Sequence, residues 1–214
     1  MSSQNPELFQ LLKVAKTAAE RANEILLNDF GRLSTVEEKE RAGLVTNADR
    51  EAEASIIEVF RRETPDFAIL GEETAHLEGT KIEPNTEKPQ WVIDPLDGTT
   101  NYVHQFPVFC VSIGLEIAGK TKVGVVSVPM LNRTYTAVSG GGAHCNGEVI
   151  QVSDRRALRE SLVATGFITA QPEKLNSQIE CFKTVLSGVR GLRRAGSAAF
   201  DLAMVAHGVV IQGD

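Results

Sequence analysis

Along the first thirty residues the apolar positions Leu8, Leu11, Leu12, Ala15, Ala18, Ala19, Ala22, Ile25 and Leu26 recur every three or four. That is the spacing of one buried helix face, with Lys13, Lys16, Glu20 and Glu24 mostly on the other. Asn5-Pro6 supplies an N-cap and a first-turn proline, and Gly31 a stop. The polar stretch from Gly31 to Gly43 has no period and reads as a mobile loop. Thr46 then predicts the cap of a second helix, roughly Asn47 to Glu63, with Ala52, Ile56, Val59 and Phe60 as its buried stripe. Phe67 to Leu70 reads as a short strand ending in Gly71-Glu72-Glu73, residues 74–89 as a loop, and Trp91-Val92-Ile93 as a buried strand running into Asp94. From Val108 to Ser139 three apolar runs bounded by turn residues predict strands. Asn146-Gly147 predicts a hairpin turn, because both residues tolerate positive φ. A strand over Leu162–Thr165, a helix around Lys174–Leu186 and a last helix from Gly196-Ser197 through Leu202 and Val205 complete the pattern. The expected class is α+β, with early helices, a central run of mainly antiparallel strands, and later helices.

Composition narrows the function more than the fold. The chain has 214 residues, 42% of them hydrophobic and 23% charged, which suits one soluble domain with a single core. Its 28 acidic residues outnumber the 22 Lys and Arg, for a formal net charge of −6. That balance argues against nucleic acid as the main partner, since phosphate backbones demand clustered cations. It also means that any phosphate chemistry must draw positive charge from elsewhere, and bound metal is one source. Cys110, Cys145 and Cys181 are far apart and share no ligand spacing with the four histidines, so reduced thiols are expected. The N-terminal text has no basic and apolar leader, and no apolar run approaches the ~20 residues that a bilayer requires. A cytoplasmic protein with no membrane partner is the expectation.

The chemistry concentrates in Gly71-Glu72-Glu73 and Asp94-Pro95-Leu96-Asp97-Gly98-Thr99-Thr100-Asn101. Each sets carboxylates where a strand leaves the sheet. Asp94 and Asp97 would flank one tight turn with the Leu96 carbonyl between them, a donor set of hard oxygens suited to magnesium. Crowded carboxylates repel, and a cation removes that penalty. Gly98 lets backbone N–H groups approach a phosphate at the start of a helix, and the Thr99 hydroxyl could orient a metal-bound water. Taken singly, GEE is ordinary text for a solvated loop and DxxD for a capped turn. Together with their flanks they are far more specific.

With those flanks, the chain resembles the inositol monophosphatase family over nearly its whole length. LVTNAD (44–49), ILGEE (69–73), WVIDPLDGTTNYVHQFPVFCVSIGLE (91–116) and GLRRAGSAAFDLAMVAHG (191–208) carry the resemblance. It implies a layered α/β sandwich and hydrolysis of inositol monophosphate, or a similar small sugar phosphate, with Mg2+. It implies that Glu72 and the Leu96 carbonyl bind a first metal, that Asp94 bridges two, and that Asp97 binds the second. Thr99 with Glu72 would activate water, Asp49 would assist a weaker metal through water, and the backbone of Gly98 and Thr99 would hold phosphate. Ser197 and Ala198 fall where the family contacts substrate hydroxyls. A phosphorylated polyol as substrate and a homodimer as assembly follow from the same resemblance.

The family pattern continues with a Trp-Asp pair that this sequence lacks, its only tryptophan being Trp91. After Gly208 the text departs from the family, so the expectation is one domain lacking its C-terminal portion, with an intact first metal site and a weakened second. Asp214 is a poor substitute ligand so close to a terminus. A catalytically weak interaction protein is the alternative. Gly140-Gly141-Gly142 reads as a turn, since it lacks the lysine and spacing of a phosphate loop. His104 reads as loop packing, and His76, His144 and His207 as surface or satisfied core residues. Arg190, Arg193 and Arg194 read as dimer-contact or solvated residues, and Lys39 as part of an exposed face.

Overall fold

The Asn5 side chain accepts the Glu7 amide, and Pro6 opens α1 (Pro6–Asp29). In this computed structural model the described residues are 5–33, 35–38, 44–78, 88–167 and 172–212. The segment expected to be a loop contains β1 (Val36–Glu38), paired antiparallel with β2 (Leu44–Thr46). Ladder bonds join backbone groups, so a three-residue strand such as Val36-Glu37-Glu38 leaves no apolar period to read. Lys39 lies outside the described residues. Thr46 caps α2 (Asn47–Glu63) through a capping box with Asp49.

β3 (Ala68–Gly71) leads directly into α3 (Glu72–Glu78), which replaces the first part of the loop expected over 74–89. So short a polar helix cannot persist alone. It is held by Glu53, which accepts hydrogen bonds from its first turn. The rest of that loop lies outside the described residues, as does the His76 side chain. β4 (Gln90–Asp97), α4 (Thr99–Val103), β5 (Cys110–Ile117), β6 (Lys120–Val128), β7 (Arg133–Val138), β8 (Gly142–Cys145) and β9 (Glu148–Val149) follow. β3 to β9 form one seven-stranded sheet in sequence order, with β3 parallel to β4 and every other pair antiparallel. Asn146 (φ 51°) and Gly147 (φ 89°) make the β8–β9 turn, and the Gly140–Gly142 run turns β7 into β8. The remaining elements are β10 (Leu162–Ala164), α5 (Pro172–Gly188), β11 (Gly191–Arg193), α6 (Ala198–Ala206) and β12 (Ile211–Gln212). β10 lies between β11 and β12, parallel to both. Neither flanking strand was expected, because runs of three and two residues carry no usable periodicity.

Alternation along the strands builds the layers. Trp91, Ile93, Val111, Ile113, Leu115, Val123 and Val125 face α1 and α2 in the main core, where Phe60 stacks on Trp91 with centroids 4.2 Å apart. The indole N–H of Trp91 donates to Thr64 at 3.0 Å, so the buried ring has no orphaned polar atom. On the opposite face Cys110, Val128, Tyr135 and Cys145 pack with Ala203, Met204 and Val210 around α6, and with Ala164 of β10. Helices, sheet, helix and second sheet thus form the layered sandwich of an α+β fold. His207 at the end of α6 meets the Tyr135 hydroxyl at 3.1 Å, a satisfied core contact. All three cysteines are free. No described helix is long and apolar enough to cross a membrane.

Candidate metal and phosphate site

The site starts from a break in strand parity. Asp94 pairs with Ser112 and Asp97 with Cys110, so three residues on β4 span two on β5. That bulge inserts one residue. Without it, Asp94 and Asp97 would point to opposite faces. With it, Leu96 joins Trp91 and Ile93 in the core, while both aspartates stand on the other face. Glu72 arrives from the neighbouring strand end: Gly71 pairs with Ile93, which sets the next residue beside Asp94.

Asp94 is the electrostatic centre. Burial, and then the charges of Glu72 and Asp97, push its carboxyl up to about 9, and it shares a hydrogen bond with Glu72. The Leu96 amide donates to Asp94 Oδ1 at 3.1 Å and opposes the shift. Glu72 and Asp94 line a cleft of 550 Å3 with Ser112, Gly114 and Glu116. Asp97 lines a neighbouring cleft of 480 Å3 with Thr165, Arg194, Ser197, Ala198 and Asp201. Asp94 shares the first cleft with Glu72 and feels the charges of both Glu72 and Asp97. Among the described residues no three His, Cys, Asp or Glu side chains stand ready around one point. Two carboxylates and the Leu96 carbonyl nevertheless suit magnesium, which keeps several waters and takes few protein ligands. Burial first, and then the charges of Glu72 and Asp97, disfavour the ionised Asp94 carboxylate, and a cation would offset both.

Asp97 already has structural partners. Its Oδ2 accepts the Ser197 hydroxyl at 2.8 Å and the Ala199 amide at 2.6 Å, with the Cys110 thiol at 3.8 Å. It thereby caps α6 and ties that helix to the end of β4. The Ser197 hydroxyl is buried in that contact, while Ala198 is exposed on the cleft wall. Burial, and the charge of Asp97, raise the Asp201 carboxyl to about 6, and Arg194 opposes this. Of the arginine cluster, Arg194 lines the cleft.

At the exit of β4, Gly98 takes φ 102° at the start of α4, and a Cβ there would sit 3.0 Å from the Val108 carbonyl. The first intrahelical bond runs from the Tyr102 amide to the Gly98 carbonyl. The amides of Thr99, Thr100 and Asn101 thus have no acceptor within the helix, the arrangement that suits an anion. The Thr99 hydroxyl reaches Asp49 Oδ1 at 3.1 Å and the Leu96 carbonyl at 3.0 Å. Its single hydrogen can serve only one of them at a time. With that hydrogen on Asp49, the hydroxyl oxygen can accept from a water and the Leu96 carbonyl is released. Asp49 is 1% exposed, and its Oδ2 binds Thr46 through the backbone amide at 2.8 Å and the hydroxyl at 2.6 Å.

Three residues here were given no role from the sequence, although Asn101 closes the segment that begins at Asp94. Asn101 donates to the Val108 carbonyl at 2.7 Å and the Ala195 carbonyl at 2.8 Å, bracing α4 against the segment before α6. Asp201 follows Ser197 by one helical turn. Glu53 follows Asp49 by one turn within the apolar stripe of Ala52, Ile56 and Phe60, and a carboxylate in phase with such a stripe was the available signal.

Comparison with known proteins identifies the family of the chain. The model of the inositol monophosphatase family matches residues 7–211, past Gly208, where the resemblance was expected to stop. An inositol-1-monophosphatase from Synechocystis is 42% identical over 203 residues, covering 94% of this chain and 69% of the relative. The Nus factor SuhB of Escherichia coli K12 is 39% identical over 205 residues, covering 95% and 75%. Among solved structures, the extragenic suppressor protein SuhB from Bartonella henselae superposes with a TM-score of 0.86 at 35% identity, covering 94% of this chain and 76% of that one. The inositol monophosphatase from Anabaena gives 0.81 at 39% identity, covering 95% and 73%. The chain belongs to the inositol monophosphatase family.

Proposed function

We propose that this protein hydrolyses inositol monophosphates, or closely similar small polyol phosphates, with magnesium. The observation that carries the reading is the β4 bulge, which turns Asp94 and Asp97 to one face beside Glu72 and leaves Asp94 with a carboxyl that a cation would ionise. Glu72, Asp94 and the Leu96 carbonyl would hold one ion, and Asp97 with Asp94 a second. When bound, magnesium supplies a water of lowered pKa and neutralises charge on the phosphoryl group. The protein's own groups do the placing. Asp49 takes the Thr99 hydrogen, so that Thr99 can accept a hydrogen bond from the attacking water. The amides following Gly98 receive phosphate oxygens, and Ala198, Arg194 and Asp201 border the space for the alcohol part of the ester.

Asp97 divides its carboxylate between this role and the α6 N-terminus, which supports a weaker second ion site. The substrate would be a small phosphorylated polyol, the setting the cytoplasm, and the assembly a homodimer, with neither nucleic acid nor membrane as partner. Phosphate release from inositol 1-phosphate across a magnesium titration tests the reading. Wild type should show saturable, magnesium-dependent release, and Asp94→Asn should lose at least 100-fold in kcat/KM, about 2.7 kcal/mol of transition-state stabilisation. Equal rates would refute the site.

A second reading draws on the relatives called Nus factor SuhB. In it the chain acts as an interaction protein with weak catalysis. Magnesium binding without turnover above background would favour that reading.

A further inference from the structure

Glu53 is a buried carboxylate, 3% exposed, on the face of α2 that meets β3 and α3. Its Oε2 accepts the Glu73 amide at 2.9 Å, and its Oε1 accepts the Thr74 amide at 2.9 Å together with the Thr74 hydroxyl. On the other side it lies flat against Gly71, where a Cβ would come within 2.5 Å of the carboxyl carbon. Both chain neighbours of Glu72 are therefore seated on one side chain. One helical turn earlier, Asp49 holds Thr99 at the exit of β4. A single rigid helix thus reaches both strand ends that carry the acidic residues.

We propose that Glu53 is a positioning residue: by seating the turn from Gly71 to Thr74 on α2, it sets where Glu72 presents its carboxylate to Asp94. The inference rests on the metal-site reading above. Only a carboxylate meets the need, because every contact to Glu53 is a donor and both oxygens are used. An amide could keep Thr74 satisfied through its oxygen, but its NH2 would then face the Glu73 N–H, next to Glu72. Groups that orient a metal ligand typically change affinity or activity about 10–100-fold when altered.

The test is calorimetric titration of Mg2+ into wild type, Glu53→Gln, Glu53→Asp and, as a control on the exposed face of the same helix, Glu51→Gln. Thermal melting of each metal-free protein runs alongside. The expected result is Mg2+ affinity about 10-fold or more weaker in Glu53→Gln, a melting temperature within a few degrees of wild type, and Glu51→Gln unchanged. Glu53→Asp, which keeps the charge but withdraws it by one methylene, should also bind more weakly, and it decides the matter if the glutamine variant does not fold. Wild-type affinity in either folded variant overturns the proposal while leaving the metal site standing. Failure of both variants to fold shows a purely structural carboxylate and overturns it too. A wild type that binds no Mg2+ overturns this inference together with the metal-site reading.

Discussion

Asp94 is a strand residue with a raised carboxyl pKa, and the direction of that shift has a consequence for stability. Its ordinary value is 3.8, and burial beside Glu72 and Asp97 raises it to about 9 in the folded protein. The folded state therefore binds a proton that the unfolded state releases between those values. Stability from this group is fully present below about pH 4 and is lost as pH rises through about 9. Metal-free protein should thus lose urea resistance from pH 6 to pH 9, and Asp94→Asn should lose much less. Parallel slopes for the two would contradict the assignment. Gly98 is the other residue with a sharp expectation. A side chain at φ 102°, set against the Val108 carbonyl, should cost Gly98→Ala more than about 1 kcal/mol in chemical denaturation. An unchanged midpoint would show that the turn is not strained by a side chain. At this scale the spacing of the acidic residues made their placement at two strand ends legible, as at Glu72, Asp94 and Asp97. The text was silent on the hold that Ser197 and Ala199 take on Asp97 Oδ2, because they lie a hundred residues away in sequence.

Among the elements, α2 has the clearest prediction. Thr46→Ala removes both the acceptor for the Asp49 amide and a donor to its carboxylate, so the helix should lose about 1 kcal/mol. Because Asp49 also faces Thr99, kcat should fall while KM changes little. A stability loss with kcat intact would separate the cap from catalysis. α1, α2 and the long strands were legible because an apolar stripe or alternation runs through each of them. The bulge in β4 was not, since Pro95-Leu96 breaks the alternation without indicating which way the chain resumes. α3 was hidden for another reason: its stability comes from Glu53, on a different element, and no local pattern reports a distant acceptor. β1, β2, β11 and β12 were too short to show a period.

At the scale of the whole molecule, the layered arrangement could be anticipated from the family resemblance and the order of elements, whereas the parallel sheet around β10 could not. The layers bury the acidic groups against one another, and Asp94 tolerates its neighbours by holding a proton. One face of the seven-stranded sheet is sealed by α1 and α2, the other receives α6, and Asp94 stands on that second face in the cleft it shares with Glu72. A net charge of −6 makes an anionic substrate unwelcome without bound cations. The central claim is that Asp94 and its neighbours form a cation site held protonated until the ion arrives. Calorimetric titration of Mg2+ at pH 7, repeated in buffers of different ionisation enthalpy, measures this directly. The account predicts saturable binding with close to one proton released per first ion, and loss of both the binding and the proton release in Asp94→Asn. Binding without proton release, or identical titrations for the two proteins, would contradict it.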